Sequence, residues 1–212
     1  VLDPMPGQAV YTPTILAVYD TAVLRLSQPL AWRCPSSRIL SLYSSMMSAD
    51  HLDVGVGTGY FLRRVPVSRL TLFDMNPNSL RVAGRRLRSF SPTLVQGNVL
   101  SLADLPAGPF GSIGLNCLLH CLPGSFADKG VVFANLRAVM RPGAWLFGST
   151  VPGASPDQNL LGRAILRSYN RRGIWSNLSD TVSGLREALG QHFSTFEVEM
   201  VGRSALFRAR CD

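Results

Sequence analysis

Residues 51–62 read His-Leu-Asp-Val-Gly-Val-Gly-Thr-Gly-Tyr-Phe-Leu, and the alternate glycines at 55, 57 and 59 narrow the choice of fold more than any other stretch. A short apolar run leads into them and another follows. That pattern predicts a strand over Leu52–Val54, a tight turn, and a helix beginning near Thr58–Gly59. Glycines suit such a turn because they adopt backbone angles other residues avoid and let a ligand lie against the main chain. A helix start there would also offer free N–H groups to an anion.

The rest of the chain alternates in the same way. Two helices are expected before the first strand. In one, over 14–27, Ile15, Leu16, Tyr19, Val23 and Leu26 share a face behind a Thr12-Pro13 start; in the other, about Ser36–Met47, Ile39, Leu40, Tyr43 and Met47 do so. Strand two is Leu70–Phe73, ending at Asp74, and Asn76-Pro77-Asn78 starts a helix that runs to about Phe90. Strand three is Thr93–Gln96, closing on Gly97-Asn98; strand four is Phe110–Leu115, ending at Asn116. A helix over 125–140 is stopped by Pro142-Gly143, and strand five is Ala144–Ser149. Leu160, Leu161, Ile165 and Tyr169 mark a further helix, and Asp180–Leu189 another. The last two strands form a hairpin: Phe196, Val198 and Met200 alternate with Glu197 and Glu199, Gly202 turns, and Ser204–Arg210 returns. Such an order implies an α/β fold, a doubly wound, mostly parallel seven-stranded sheet. Its ligand crevice lies beyond the carboxyl ends of the strands, where Asp53–Gly59, Asp74, Asn98 and Asn116 would meet. Residues 1–48 are expected to be helices packed over a core made by 49–212, in one compact unit.

Composition sets the class. A chain of 212 residues builds one α/β domain with a full core. No apolar stretch approaches the ~18–20 residues that span a bilayer, and no basic-then-apolar leader opens the sequence. The net charge is +8, with Lys129 the sole lysine among arginines. Those arginines (Arg81, Arg85, Arg86, Arg88) are scattered along amphipathic segments rather than clustered with aromatics. They point to arginine-rich codon usage, not to a nucleic-acid partner. Cys34, Cys117, Cys121 and Cys211 show no disulfide framework, so a reducing cytoplasm is expected.

A dinucleotide loop would place its third glycine at position 60, which is Tyr60. The pattern Asp53, Gly55, Gly57, Gly59 instead resembles the (D/E)-x-G-x-G-x-G motif of class I S-adenosylmethionine (SAM)-dependent methyltransferases. Over about 50–210, closing hairpin included, the chain is similar to small stand-alone bacterial or fungal enzymes of the "type 12" kind. The resemblance implies SAM as cofactor and S-adenosylhomocysteine as product. It implies that Asp74 accepts from both ribose hydroxyls. It puts Asn98, where the family usually has aspartate, at the adenine amino group, and Asn116 and Cys117 beside the methionine moiety and methyl. The N-terminal helices and the stretch after strand five would cover the site and choose the acceptor. Tyr11 would then face the cofactor, and Trp32, Arg33, Cys117, Tyr169 and Trp175 the acceptor.

Among three histidines, His51 should point away from the site and His192 lies before the hairpin, so His120, after strand four, is the candidate general base or substrate-orienting group. Cys117, His120 and Cys121 crowd five residues and offer no tetrahedral set, so no metal is expected. The functional expectation is methyl transfer to O, N or C of a small apolar or aromatic metabolite by a monomer or homodimer. An RNA or other macromolecular acceptor, or a SAM-binding protein without methylating activity, are the alternatives.

Overall fold

The computed structural model describes residues 7–8, 12, 15–16, 28–154 and 158–212. Apart from Ile15 and Leu16, the helix expected over 14–27 lies outside the described residues, as does Tyr11. The strands are β1 (Asp50–Val54), β2 (Arg69–Asp74), β3 (Thr93–Gln96), β4 (Phe110–Asn116), β5 (Met140–Thr150), β6 (Thr195–Val201) and β7 (Ser204–Arg210). Among the described residues, the helices of four or more residues are α1 (Ser36–Met46), α2 (Pro77–Arg86), α3 (Phe126–Lys129), α4 (Val131–Ala138), α5 (Leu160–Arg171) and α6 (Val182–Gly190). They form a seven-stranded sheet in the order β3-β2-β1-β4-β5-β7-β6. The first five strands pair in parallel, while β7 runs antiparallel to β5 and to β6. The order reverses between β1 and β4, which puts the crevice of a doubly wound sheet at their carboxyl ends.

Period-two alternation along the strands splits the core into two layers. Leu52, Val54, Ile113, Leu115, Leu146 and Phe207 pack with Phe133 and Leu136 of α4 and Leu189 of α6. On the opposite face Leu70, Leu72, Phe147 and Leu206 pack with Ile39 and Tyr43 of α1, Leu80 and Ala83 of α2, and Leu166 of α5. Asn76 starts α2 as the sequence suggests: its side chain accepts from Asn78 N–H, and Pro77 occupies the first turn.

The structure departs from the pattern in three places. No α-helix follows the glycine loop; only one 3₁₀ turn, Leu62–Arg64, forms there. Gly59 is left-handed (φ 68°) and Val65, preceding Pro66, is extended, so a single turn fits between them. The anion-binding helix start expected at this loop is therefore absent. The helix expected over 125–140 is two, α3 and α4, and ends at Ala138 because β5 starts at Met140. Pro142 and Gly143 sit inside that longer strand, in a bulge between the pairs Phe110–Met140 and Ser112–Trp145. A bulge tolerates a residue that cannot donate to the ladder. Finally, Leu160 and Leu161 are exposed, and α5 instead buries Gly162 and Leu166.

A Cβ on Gly59 would lie 2.9 Å from Cδ1 of Leu87, the fully buried residue that caps the end of α2. Gly59→Ala is expected to destabilise the fold by about 1–3 kcal/mol through backbone strain and this contact. Urea denaturation checks it, and an unchanged midpoint would contradict the left-handed geometry.

Candidate active site

The chain leaves β1 through Gly55, Gly57 and Gly59, all left-handed, with φ of 69°, 54° and 68°. Each glycine answers to a different neighbour. Gly55 N–H donates to Phe73 C=O at 2.8 Å, and a Cβ there would meet the Leu118 side chain at 2.9 Å. Gly55 thus locks the β1 loop against the one after β4, as Gly59 locks it against α2. Gly57 meets nothing within 4 Å where a Cβ would stand, and it lines a cavity at the carboxyl edge of the sheet. That cavity holds about 990 Å³ of non-atom space out to its open mouth, the size of a small-molecule site.

Asp53, Gly55, Gly57, Asp74, Asn98, Asn116 and Cys117 converge on this cavity from four strand ends. Asp74 Oδ1 accepts from Asn76 N–H at 2.8 Å and Oδ2 from Gly57 N–H at 3.4 Å. Burial nonetheless raises its pKa to about 6, and the nearby Asp53 charge adds to the rise. Asn98 Oδ1 accepts from Leu100 N–H at 3.0 Å, which fixes the amide at the cavity edge. Asn116 is buried; its Oδ1 accepts from Ser149 Oγ at 3.1 Å, and its amide lies against the Tyr43 phenol. Cys117 holds the left-handed conformation (φ 55°) without being glycine, a strain of about 1–3 kcal/mol that clusters at functional sites. Burial raises its thiol pKa, so it faces the cavity as a thiol and not as a reactive thiolate.

The acceptor-side candidates assemble elsewhere. His120 sits in the 3₁₀ turn Leu119–Cys121, buried, with its ring 4.5 Å from Trp175. Trp175 in turn packs against Tyr169 at 5.2 Å and Trp32 at 5.5 Å. These four form one aromatic cluster behind the cavity wall, and none of them lines the cavity itself. His120 Nδ1 accepts Val151 N–H at 3.3 Å, so the ring proton is on Nε2. Burial and the Lys129 charge push its pKa down to about 3. With its lone pair in use and so little basicity, His120 is badly placed to take a proton from a ligand. Arg33 is exposed beside the β6–β7 turn, its carbonyl packed over Gly202, and it stands apart from the cavity. Among the described residues no three His, Cys, Asp or Glu side chains gather as a metal site, and no helix is long and apolar enough to cross a membrane.

Sequence reasoning missed three parts of the site. Tyr43, read as an apolar-face residue of α1, lines the cavity and donates from Oη to Asp53 Oδ2 at 2.6 Å. A buried phenol needs a partner, and that requirement was the available signal. His51 is on the same face beneath Asp53, with Nδ1 2.8 Å from Ser112 Oγ and Nε2 3.4 Å from Asp53 Oδ2. Gly7 and Gln8 also line the cavity; Gln8 C=O accepts from Asn76 Nδ2 at 2.8 Å.

Comparison with known proteins agrees with this geometry. The methyltransferase domain family matches residues 52–148, the span from β1 into β5. The demethylluteothin O-methyltransferase of Streptomyces thioluteus is 38% identical over 207 residues, covering 96% of this chain and 90% of that protein. The chain belongs to the class I SAM-dependent methyltransferases. The physcion biosynthesis cluster O-methyltransferase of Aspergillus chevalieri is 36% identical to it over 96% of this chain and 94% of that one. Among solved structures, the N-methyltransferase NodS of Bradyrhizobium japonicum WM9, in complex with S-adenosylhomocysteine, shares the methyltransferase fold. The TM-score is 0.60 at 18% identity, over 83% of this chain and 84% of that one. Membership makes this protein an enzyme that takes its methyl group from SAM.

In the ligand-free methyltransferase, the side-chain carboxyl ¹³C shift of Asp74 is expected to titrate with a midpoint near 6. A midpoint below about 4.5, nearer the ordinary aspartate value, would show a carboxyl better solvated than the cavity wall allows.

Proposed function

We propose that this methyltransferase transfers a methyl group to a hydroxyl of a small, largely apolar aromatic metabolite. The observation that carries the reading is the convergence on one cavity of an open-sided Gly57 and a two-oxygen acceptor in Asp74, with Asn116 and Cys117 at the end of β4 in the same wall. These residues fit SAM. A side chain at 57 would fill the cradle, Asp74 has two acceptor oxygens for a ribose diol, and Asn116 with Cys117, in the same wall, would hold the methyl end. SAM, when bound, supplies an electrophilic methyl. The apolar side of the cavity, with Phe61, Leu118 and Leu122, suits an aromatic acceptor. Oxygen as the acceptor atom is supported by the names of the two relatives, both O-methyltransferases. What the chain does is hold the acceptor oxygen in line and exclude water; His120 orients the wall and takes no proton.

None of the three histidines lines the cavity. Acceptors that ionise readily by themselves are therefore favoured, and the acceptor's own acidity sets the pH dependence. The test is transfer of label from methyl-labelled SAM to a panel of phenols whose pKa values run from about 7 to about 10, with products identified as aryl methyl ethers. The expected result is a pH–rate inflection that moves with the pKa of the phenol. An inflection above the Asp74 midpoint of about 6 that stays fixed for every acceptor would show an enzyme base at work. Label found only in amines, carboxylic acids or RNA would refute the hydroxyl assignment.

A further inference from the structure

The sole lysine of the chain, Lys129, is fully buried at the end of α3. Its Nζ donates to three oxygens: Leu119 C=O at 3.2 Å, Ser176 C=O at 2.8 Å and Asp180 Oδ2 at 2.9 Å. An ammonium has three protons, so all of its donors are used. Its two carbonyl partners belong to different loops. Leu119 begins the turn that carries His120, and the residues flanking that turn's buried face, Leu118, Cys121 and Leu122, line the cavity. Ser176 follows Trp175, the ring packed on His120, and Ser176 N–H donates to His120 C=O at 2.9 Å.

Burying this pair opposes its ionisation. Desolvation pulls the Lys129 pKa down and pushes the Asp180 pKa up, with their mutual attraction acting against both shifts. Asp180 Oδ1 has no hydrogen-bond partner at all. A pair so poorly compensated on the acid side is weak as a stability device, yet its ammonium bonds to backbone oxygens on two separate loops. We propose that Lys129, with Asp180, is a positioning residue for methyl transfer, holding the cavity-wall loop 118–122 against the loop 174–180 behind it. The inference rests on the methyltransferase reading of the cavity. Lys129 touches no ligand; it acts through Leu119 and His120 on the side chains that do.

The test replaces the pair as a unit, Lys129→Met with Asp180→Leu, because an apolar pair of similar volume commonly fills a buried ion-pair site with the fold retained. Three readouts are followed: hydrogen exchange of Ser176 N–H, which donates to His120 C=O across the two loops, the Kd for S-adenosylhomocysteine, and KM and kcat for methylation of 4-nitrophenol. In the double variant the Ser176 amide is expected to exchange at least about tenfold faster, with the amides of β1 unchanged, as the two loops part. KM for the phenol is expected to rise about tenfold or more, with S-adenosylhomocysteine affinity within about threefold of wild type. An unchanged exchange rate, an unchanged KM, or an equal loss of phenol and S-adenosylhomocysteine binding would overturn the proposal. The exchange readout needs no turnover, so failure of the wild type to methylate any phenol would count against the proposed acceptor alone. If the double variant does not fold, Asp180→Asn decides the matter. It leaves Lys129 its two carbonyl partners, so Ser176 N–H exchange and KM should stay within about twofold; faster exchange there would refute the loop-holding role.

Discussion

The central strand carries three polar residues into the interior of the sheet. All five residues of β1 are buried, although Asp50, His51 and Asp53 are among them. Buried polar groups are tolerated only when paired, and each of the three is answered from a different part of the chain. Arg69 and Arg141 reach Asp50, Ser112 of β4 meets His51, and Tyr43 of α1 donates to Asp53. The sheet order β2-β1-β4 and the packing of α1 over β1 are thus tied to the chemistry of one strand. The same strand ends in the glycine loop, so what fixes the middle of the fold also fixes the glycine wall of the cavity.

The two sides of the site are built by different means. The proposed cofactor side is main chain: left-handed glycines, strand ends and backbone N–H groups on Asp74. The proposed acceptor side depends on tertiary contacts between loops, with the aromatic cluster of Trp32, His120, Tyr169 and Trp175 stacked behind it and Lys129 beneath. A scaffold of this kind can keep one cofactor and change its acceptor by loop substitution.

That division also explains what could be read from sequence. All seven strands and the meeting of Asp53, Gly55, Gly57, Asp74 and Asn116 were legible, because strand periodicity and turn glycines are local signals. The missing helix after the glycine loop was also within reach, since Pro66 lies only seven residues past Gly59 and its restriction on Val65 is local. That a buried Tyr43 needs a partner was legible; which partners Tyr43 and His51 take was not, because they come from pairing across α1, β1 and β4. Trp32, Tyr169 and Trp175 were rightly grouped as large residues of the added segments. Their stacking on His120, in place of the cavity, depends on long-range packing that no local pattern carries. Arg33 illustrates the opposite error: a charged residue in an irregular stretch drew notice, and the chain uses its backbone against Gly202 and leaves its side chain in solvent.

The central claim is that the left-handed glycine loop holds the cofactor by close approach of its backbone. Calorimetric titration of S-adenosylhomocysteine into the wild type and Gly57→Ala tests it most directly. At Gly57 an added Cβ meets no protein atom within 4 Å, so any loss beyond backbone strain reports on the ligand. The account predicts saturable one-site binding to the wild type and at least about a tenfold weaker Kd, or about 1.4 kcal/mol, for Gly57→Ala. Equal affinity of the two proteins, or no binding to the wild type, would contradict it.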